Sequence, residues 1–176
     1  MSVDPLFAAV RKDNAFSILV WGPGEKGPHY AIRLTVRDRL REYFARVEFS
    51  EDIDDVPAMG SFWLENIAFL ERLHATKANI VYLIPTSTGP QLELILYWSY
   101  RNIGPKIHVL LLENGPENSF IERVTWAIVR RMPTHQVHRF PPSGFNENAV
   151  ANYCVEHAKS FYMSTHPLGP PDLELA

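Results

Sequence analysis

Five times along the chain a short apolar run gives way to a longer stretch of helical periodicity, and this alternation restricts the fold more than any other feature. The apolar runs are Phe16 to Trp21 (FSILVW), Arg46 to Phe49, Asn79 to Ile84, Ile107 to Leu112 and Gln136 to Phe140. The first, third and fourth are almost continuously apolar, as in strands buried on both faces. Between His29 and Phe44, Ile32, Val36, Leu40 and Phe44 recur every four residues, with Arg33, Arg37 and Arg41 on another face of the helix. Further helices are expected over Ser61 to Ala75, Thr88 to Asn102, Glu117 to Met132 and Ser143 to Tyr162. Asp4-Pro5 has the N-cap and N1 order that opens a short helix to about Lys12.

Strands joined through helices pair in parallel, with helices covering both faces of the sheet. The expected fold is a single α/β domain over residues 1–163, followed by a Pro-containing tail from Ser164 to Ala176. Its architecture is a flavodoxin-like three-layer sandwich with a five-stranded parallel sheet in the order 2-1-3-4-5. In that order the chain reverses direction between the first and third strands, and ligands bind outside the carboxyl ends of the strands there. The loops meeting at this switch point are Gly22 to Pro28 and Thr86 to Gly89.

Hydrophobic residues make up 46% of the chain and charged residues 21%, the balance of a globular protein and not of a disordered one. A net charge of -3 with mixed signs argues against sequence-independent nucleic-acid binding, which needs a basic surface. The longest apolar runs are too short to span a bilayer and Met1-Ser2-Val3-Asp4 does not open a signal peptide, so no membrane partner is expected. The one cysteine, Cys154, cannot form an internal disulfide, which makes a reducing cytoplasm the expected location.

A lone carboxylate, Glu93, follows the third strand at the start of a helix. Thr88-x-x-Gln91 has capping-box spacing and Pro90 falls in the first turn. The partial positive charge of a helix N-terminus is expected to keep Glu93 ionised, and acidic residues are common there for that reason alone. A fixed, shielded carboxylate can also stabilise an oxocarbenium-like sugar cation or attack it.

The order of parts from Phe16 to Leu112 resembles the superfamily that joins nucleoside 2-deoxyribosyltransferases to TIR (Toll/interleukin-1 receptor) domains. The likeness to the transferases lies in "ILVWGPG" and "PTSTGPQLEL". The likeness to TIR domains lies in a short strand, an acidic loop closing on Gly60, a helix, an apolar strand, a Ser/Thr-rich turn and a helix with Glu before Leu. The resemblance implies that Glu93 is catalytic: its counterpart cleaves nicotinamide from NAD in active TIR domains and is the nucleophile on the sugar in the transferases. Two positions depart from these patterns. Ser87 stands where the transferases carry an Asp six residues before the Glu, and Gly89-Pro90 replaces the Trp-Cys pair of many TIR domains.

The expectation is thus an N-glycosidic-bond-cleaving enzyme that releases the base or nicotinamide from a nucleotide or NAD. NAD enters as a substrate, and no cofactor is expected. Gly22 and Gly24, with the helix following them, form a candidate phosphate cradle, although a tight turn explains the glycines equally well. Trp21 and Tyr30 are candidate stacking surfaces, although such aromatics more often belong to a core. The hydroxyls of Thr86, Ser87 and Thr88 are placed to bond ribose oxygens. Among Glu51, Asp52, Asp54 and Asp55, Asp52 is the candidate ribose ligand, against a plain solvated loop for the group. His135 and His138 project to opposite sides of a strand and no neighbouring Cys or Asp completes a set, so no metal site is expected there. Cys154 reads as a small buried hydrophobe. The aromatic helix around Phe62 and Trp63 suits a partner surface and a homo-oligomer. The alternative is a non-catalytic nucleotide-sensing or TIR-like assembly module.

Overall fold

The structure, a computed structural model, describes residues 13–51 and 71–166. The expected N-terminal helix, Asp52 to Asp55, and the Phe62–Trp63 helix face lie outside the described residues. In chain order the elements are β1 (Ser17–Trp21), α1 (Tyr30–Arg41), β2 (Arg46–Phe49), a helix α2 described over 71–77, β3 (Ile80–Leu83), α3 (Thr88–Tyr97), β4 (Ile107–Leu112), α4 (Phe120–Val129), β5 (Val137–Phe140) and α5 (Glu147–Thr165).

All five strands are parallel and ordered β2-β1-β3-β4-β5, the flavodoxin-like order expected from the alternation. Every residue of β1 and β3 is buried, because these strands are central and covered on both faces. Side chains alternate across the sheet. Ile18, Val20, Ile80, Tyr82 and Leu110 pack under α1 and α5, while Leu19, Trp21, Val81, Leu83 and Val109 pack under α3 and α4. Each fully buried aliphatic residue contributes on the order of 1.5–3 kcal/mol by leaving water, which is why the apolar runs, and not their flanks, became strands.

Helix boundaries differ from the periodicity where capping or close approach decides them. Ser119 and Glu122 form a capping box, so α4 starts at Phe120 rather than Glu117. Asn146 accepts from the Ala149 N–H and starts α5 at Glu147, and that helix runs through Ser164 and Thr165, the first residues of the expected tail. At α3 the N-cap is Ser87, in extended conformation and without a side-chain cap bond. Thr88 is therefore not a cap, and Gln91 donates from Nε2 to the Pro85 carbonyl at 3.1 Å instead of closing a box. Helix α3 stops at Tyr97 rather than Asn102. The chain then folds back so tightly that a Cβ on Gly104 would lie 1.9 Å from the Trp98 carbonyl oxygen. Among the described residues, no helix is long and apolar enough to cross a membrane.

Candidate active site at the β1/β3 switch point

Where β1 and β3 end, the backbone ladder continues one step, with Ile84 N–H donating to Trp21 O at 2.9 Å. The two loops leaving these strands are then joined by Thr86, whose hydroxyl donates to the Pro28 carbonyl at 3.1 Å. Gln91, itself buried, ties the start of α3 back to Pro85. These bonds fix the turn from which α3 carries Glu93 toward the sheet.

Glu93 is half-buried, but its Oε2 atom is shut off from solvent and has no hydrogen-bond partner among the described residues. Burial is the main reason its pKa is pushed up to about 8, and the nearby Glu71 and Glu51 charges add to this while Arg33 opposes it. The helix N-terminus therefore does not hold Glu93 ionised. Loss of water from the carboxylate outweighs the dipole, whose effect is only about 0.3–1 kcal/mol at exposed sites. Glu71 is raised too, by burial foremost, although it accepts from the Tyr97 hydroxyl at 3.5 Å. Burial and the Glu71 charge push Tyr97 up to about 12.

The cation of the group is Arg33, 1% exposed. It donates from Nε to Val20 O at 3.2 Å, from Nη1 to Pro23 O at 3.3 Å, and to both carboxylate oxygens of Glu51 at 2.6 and 2.5 Å. Its guanidinium also lies 4.0 Å from the centre of the Phe49 ring. Burial pushes Glu51 up, but the Arg33 bonds and charge outweigh it and hold the carboxyl below its usual range. Arg33 thus pairs with Glu51 alone, while the charges of Glu71, Arg33 and Glu51 all act on Glu93. Glu51 and Glu71 act on Glu93 against the one Arg33 charge, which favours a cation beside the Glu93 oxygen that has no partner among the described residues.

The other expected site residues fall into different settings. Trp21 is fully buried, packed 5.4 Å from the Tyr97 ring, and so offers no face to a base; its role is core. Gly22 lies against the Arg33 stem, where a Cβ would come within 3.0 Å of Arg33 Cδ. Gly24 and Thr88 are exposed, while Tyr30, Thr86 and Ser87 are half-buried. Thr86 lines a cleft of about 220 Å³ with Pro28, His29, Gln91, Leu112 and Trp126; Glu93 does not line it. Non-glycine His29 supplies the left-handed residue of the β1–α1 loop, at φ 65°.

Arg33, Glu51, Glu71 and Gln91 escape a reading of periodicity. Arg33 stands in a row with Arg37 and Arg41, which reads as a solvated face, and Glu51 sits in an acidic stretch that reads as a solvated loop. Gly22, directly after a buried strand, is the one local hint, since it leaves room for the Arg33 stem.

In comparisons with known proteins, the chain matches no protein-family profile and no curated protein sequence. Fold and site together define it as a flavodoxin-like α/β domain with a buried carboxylate oxygen at the switch point that has no partner among the described residues.

Proposed function

We propose that the protein cleaves an N-glycosidic bond in a nucleotide or NAD, with Glu93 as the catalytic carboxylate. The observation that carries this reading is the buried Glu93 oxygen, which has no partner among the described residues and lies near the Glu51 and Glu71 charges. A desolvated carboxylate lowers the energy of a cation more than a solvated one does, and needs little reorganisation as the charge develops. As the bond from ribose C1′ to the base nitrogen breaks, the base takes the electron pair and C1′ becomes cationic; water then attacks C1′ and loses a proton. Nicotinamide leaves NAD as a neutral base and needs no acid, so that reaction uses the Glu93 anion. A base leaving an ordinary nucleotide benefits from a proton, which the acid form of Glu93 supplies. The phosphates would lie by Gly24 and the start of α1, and the ribose over Thr86 to Thr88.

The test is incubation of the full-length chain with NAD and a panel of nucleotides, scoring free base by chromatography, beside Glu93→Gln. Base release that drops by several orders of magnitude in a folded Glu93→Gln variant supports the reading. Equal release by both proteins, or none from any substrate, defeats it. The pH profile separates the two classes: NAD cleavage rises with pH as Glu93 ionises, and acid-assisted nucleotide cleavage falls.

A second reading, nucleotide sensing or TIR-like assembly without turnover, is favoured by the cleft at Thr86, which excludes Glu93. It expects retained ligand, no product, and assembly unaffected by Glu93→Gln. A homo-oligomer is supported by Leu92 and Leu96, exposed one turn apart on α3 at 42% and 54%, and by Phe120 at 72%. The single, buried Cys154 suits a reducing compartment such as the cytoplasm.

A further inference from the structure

On the face of the sheet opposite α3 and Glu93, the fold gathers three histidines that are far apart in sequence. His108 is the second residue of β4 and His138 the second of β5. The register sets His108 beside Tyr82 and His138 beside Leu110, so both rings project under α5, where His157 meets them. One nitrogen from each of His108, His138 and His157 lies within 4.8 Å of the others. The His108 and His157 ring centres are 4.3 Å apart, and His108 is 4% exposed.

We propose that His108, His138 and His157 form a binding site for a divalent transition metal of the zinc class, with a fourth position open to water or an outside ligand. The first support is distance. His108 Nδ1 and His138 Nε2 are 3.2 Å apart. Two nitrogens each roughly 2.0–2.1 Å from a tetrahedral zinc are about 3.3 Å apart, so this pair already has co-ligand spacing. Closing His157 onto the same ion shortens the longest separation by roughly 1.5 Å, within the reach of a half-buried ring.

The second support is the outer hydrogen bonding. The Tyr82 hydroxyl lies 3.0 Å from the Cys154 carbonyl, which can only accept, and 2.8 Å from His157 Nδ1. Its single proton goes to the carbonyl, so its oxygen accepts from His157 Nδ1–H. That leaves the lone pair on His157 Nε2, the atom a metal needs, and it orients the ring as outer partners of metal-bound histidines do. The Tyr153 hydroxyl contacts His138 Nδ1 and is a second such outer partner. Without metal, one proton lies between His108 Nδ1 and His138 Nε2. On binding it moves to the far nitrogen of its ring, for His138 the nitrogen facing Tyr153, and no ring loses its neutral state. A plain imidazole pair explains the 3.2 Å contact alone; it does not explain a third ring with a ligand nitrogen within 4.8 Å of both.

The experiment uses tag-free, chelator-stripped full-length protein titrated with Co²⁺ and then Zn²⁺. The expected result is saturation at one Co²⁺ per chain with the intense visible d–d bands of four-coordinate cobalt, bleached by Zn²⁺, and a higher melting temperature with Zn²⁺. Mg²⁺ has no effect. His157→Gln and His138→Gln lose at least about 100-fold in affinity, more than the 10–100-fold range of outer-shell changes, within which Tyr82→Phe falls. Glu93→Gln binds metal as the wild type does, which keeps this site independent of the proposed activity. The proposal is overturned if wild type shows no one-to-one uptake, or only the pale spectrum of octahedral cobalt. It is equally overturned if the folded histidine variants bind as tightly as wild type, because the metal then sits on outer histidines such as His29 and His135. Should the variants fail to fold, the wild-type spectrum and stoichiometry decide alone.

Discussion

Arg33 and Glu51, 18 residues apart, share a two-pronged ion pair in which the arginine is buried and the glutamate half-exposed, with side-chain exposures of 2% and 54%. This asymmetry sets the cost of breaking it. Arg33→Met leaves Glu51 free to turn to water, so the expected loss is about 2 kcal/mol in urea unfolding, the scale of a hydrogen bond to a charged group. Glu51→Gln leaves a buried guanidinium with only carbonyl partners and is expected to cost more. A larger loss for Arg33→Met than for Glu51→Gln would show that the carboxylate, not the arginine, needs the pair.

Glu93 makes stability depend on pH in a direction opposite to an ordinary ion-paired carboxylate. Its folded pKa, about 8, lies above the unfolded value near 4.5, so between these the folded state holds more protons. Stability is full below about pH 4.5, falls as pH rises through 8, and levels off above. Glu51 works the other way, lowered in the fold, and its contribution is lost toward acid pH. Above about pH 7.5, where the lowered His108, His138 and His157 no longer titrate in either state, melting temperatures should therefore decline toward pH 9 for wild type and flatten in Glu93→Gln.

Glu71→Gln removes a like charge that holds Glu93 up, and a carbonyl oxygen still accepts from Tyr97. The Glu93 pKa should fall while remaining above the ordinary value, because burial is the larger cause. Carbon-13 NMR titration of the Glu93 carboxyl reads this directly; an unmoved midpoint would separate the two groups electrically.

The two loop glycines should respond differently. Gly22→Ala puts a methyl 3.0 Å from Arg33 Cδ and 3.4 Å from Ile84 Cβ, and should cost about 1–3 kcal/mol by displacing the arginine. At Gly24 nothing lies within 4 Å of a Cβ and the backbone is not left-handed, so Gly24→Ala should be neutral or stabilising by up to about 1 kcal/mol. Thermal melts of the two variants provide the comparison.

Most of the fold was legible in the chain. Continuous apolar runs such as Ser17–Trp21 and Ile80–Leu83 belong to strands covered on both faces, and helical spacing between them leaves only parallel crossovers. That alone put the turn after β3 beside the loop after β1, and Glu93 near both. Local pattern records which faces are apolar, because burial of each face repeats with the element's own period. It does not record which polar groups meet. Whether Arg33 is solvated or buried, and whether Glu93 is ionised, depends on Glu51 and Glu71 arriving from other elements and on how much water they leave between them. The same holds for His108, His138 and His157, whose rings share one point only after two strands and a helix have packed. Solvation and charge pairing act through space between segments distant in the chain, so the tertiary structure alone decided them.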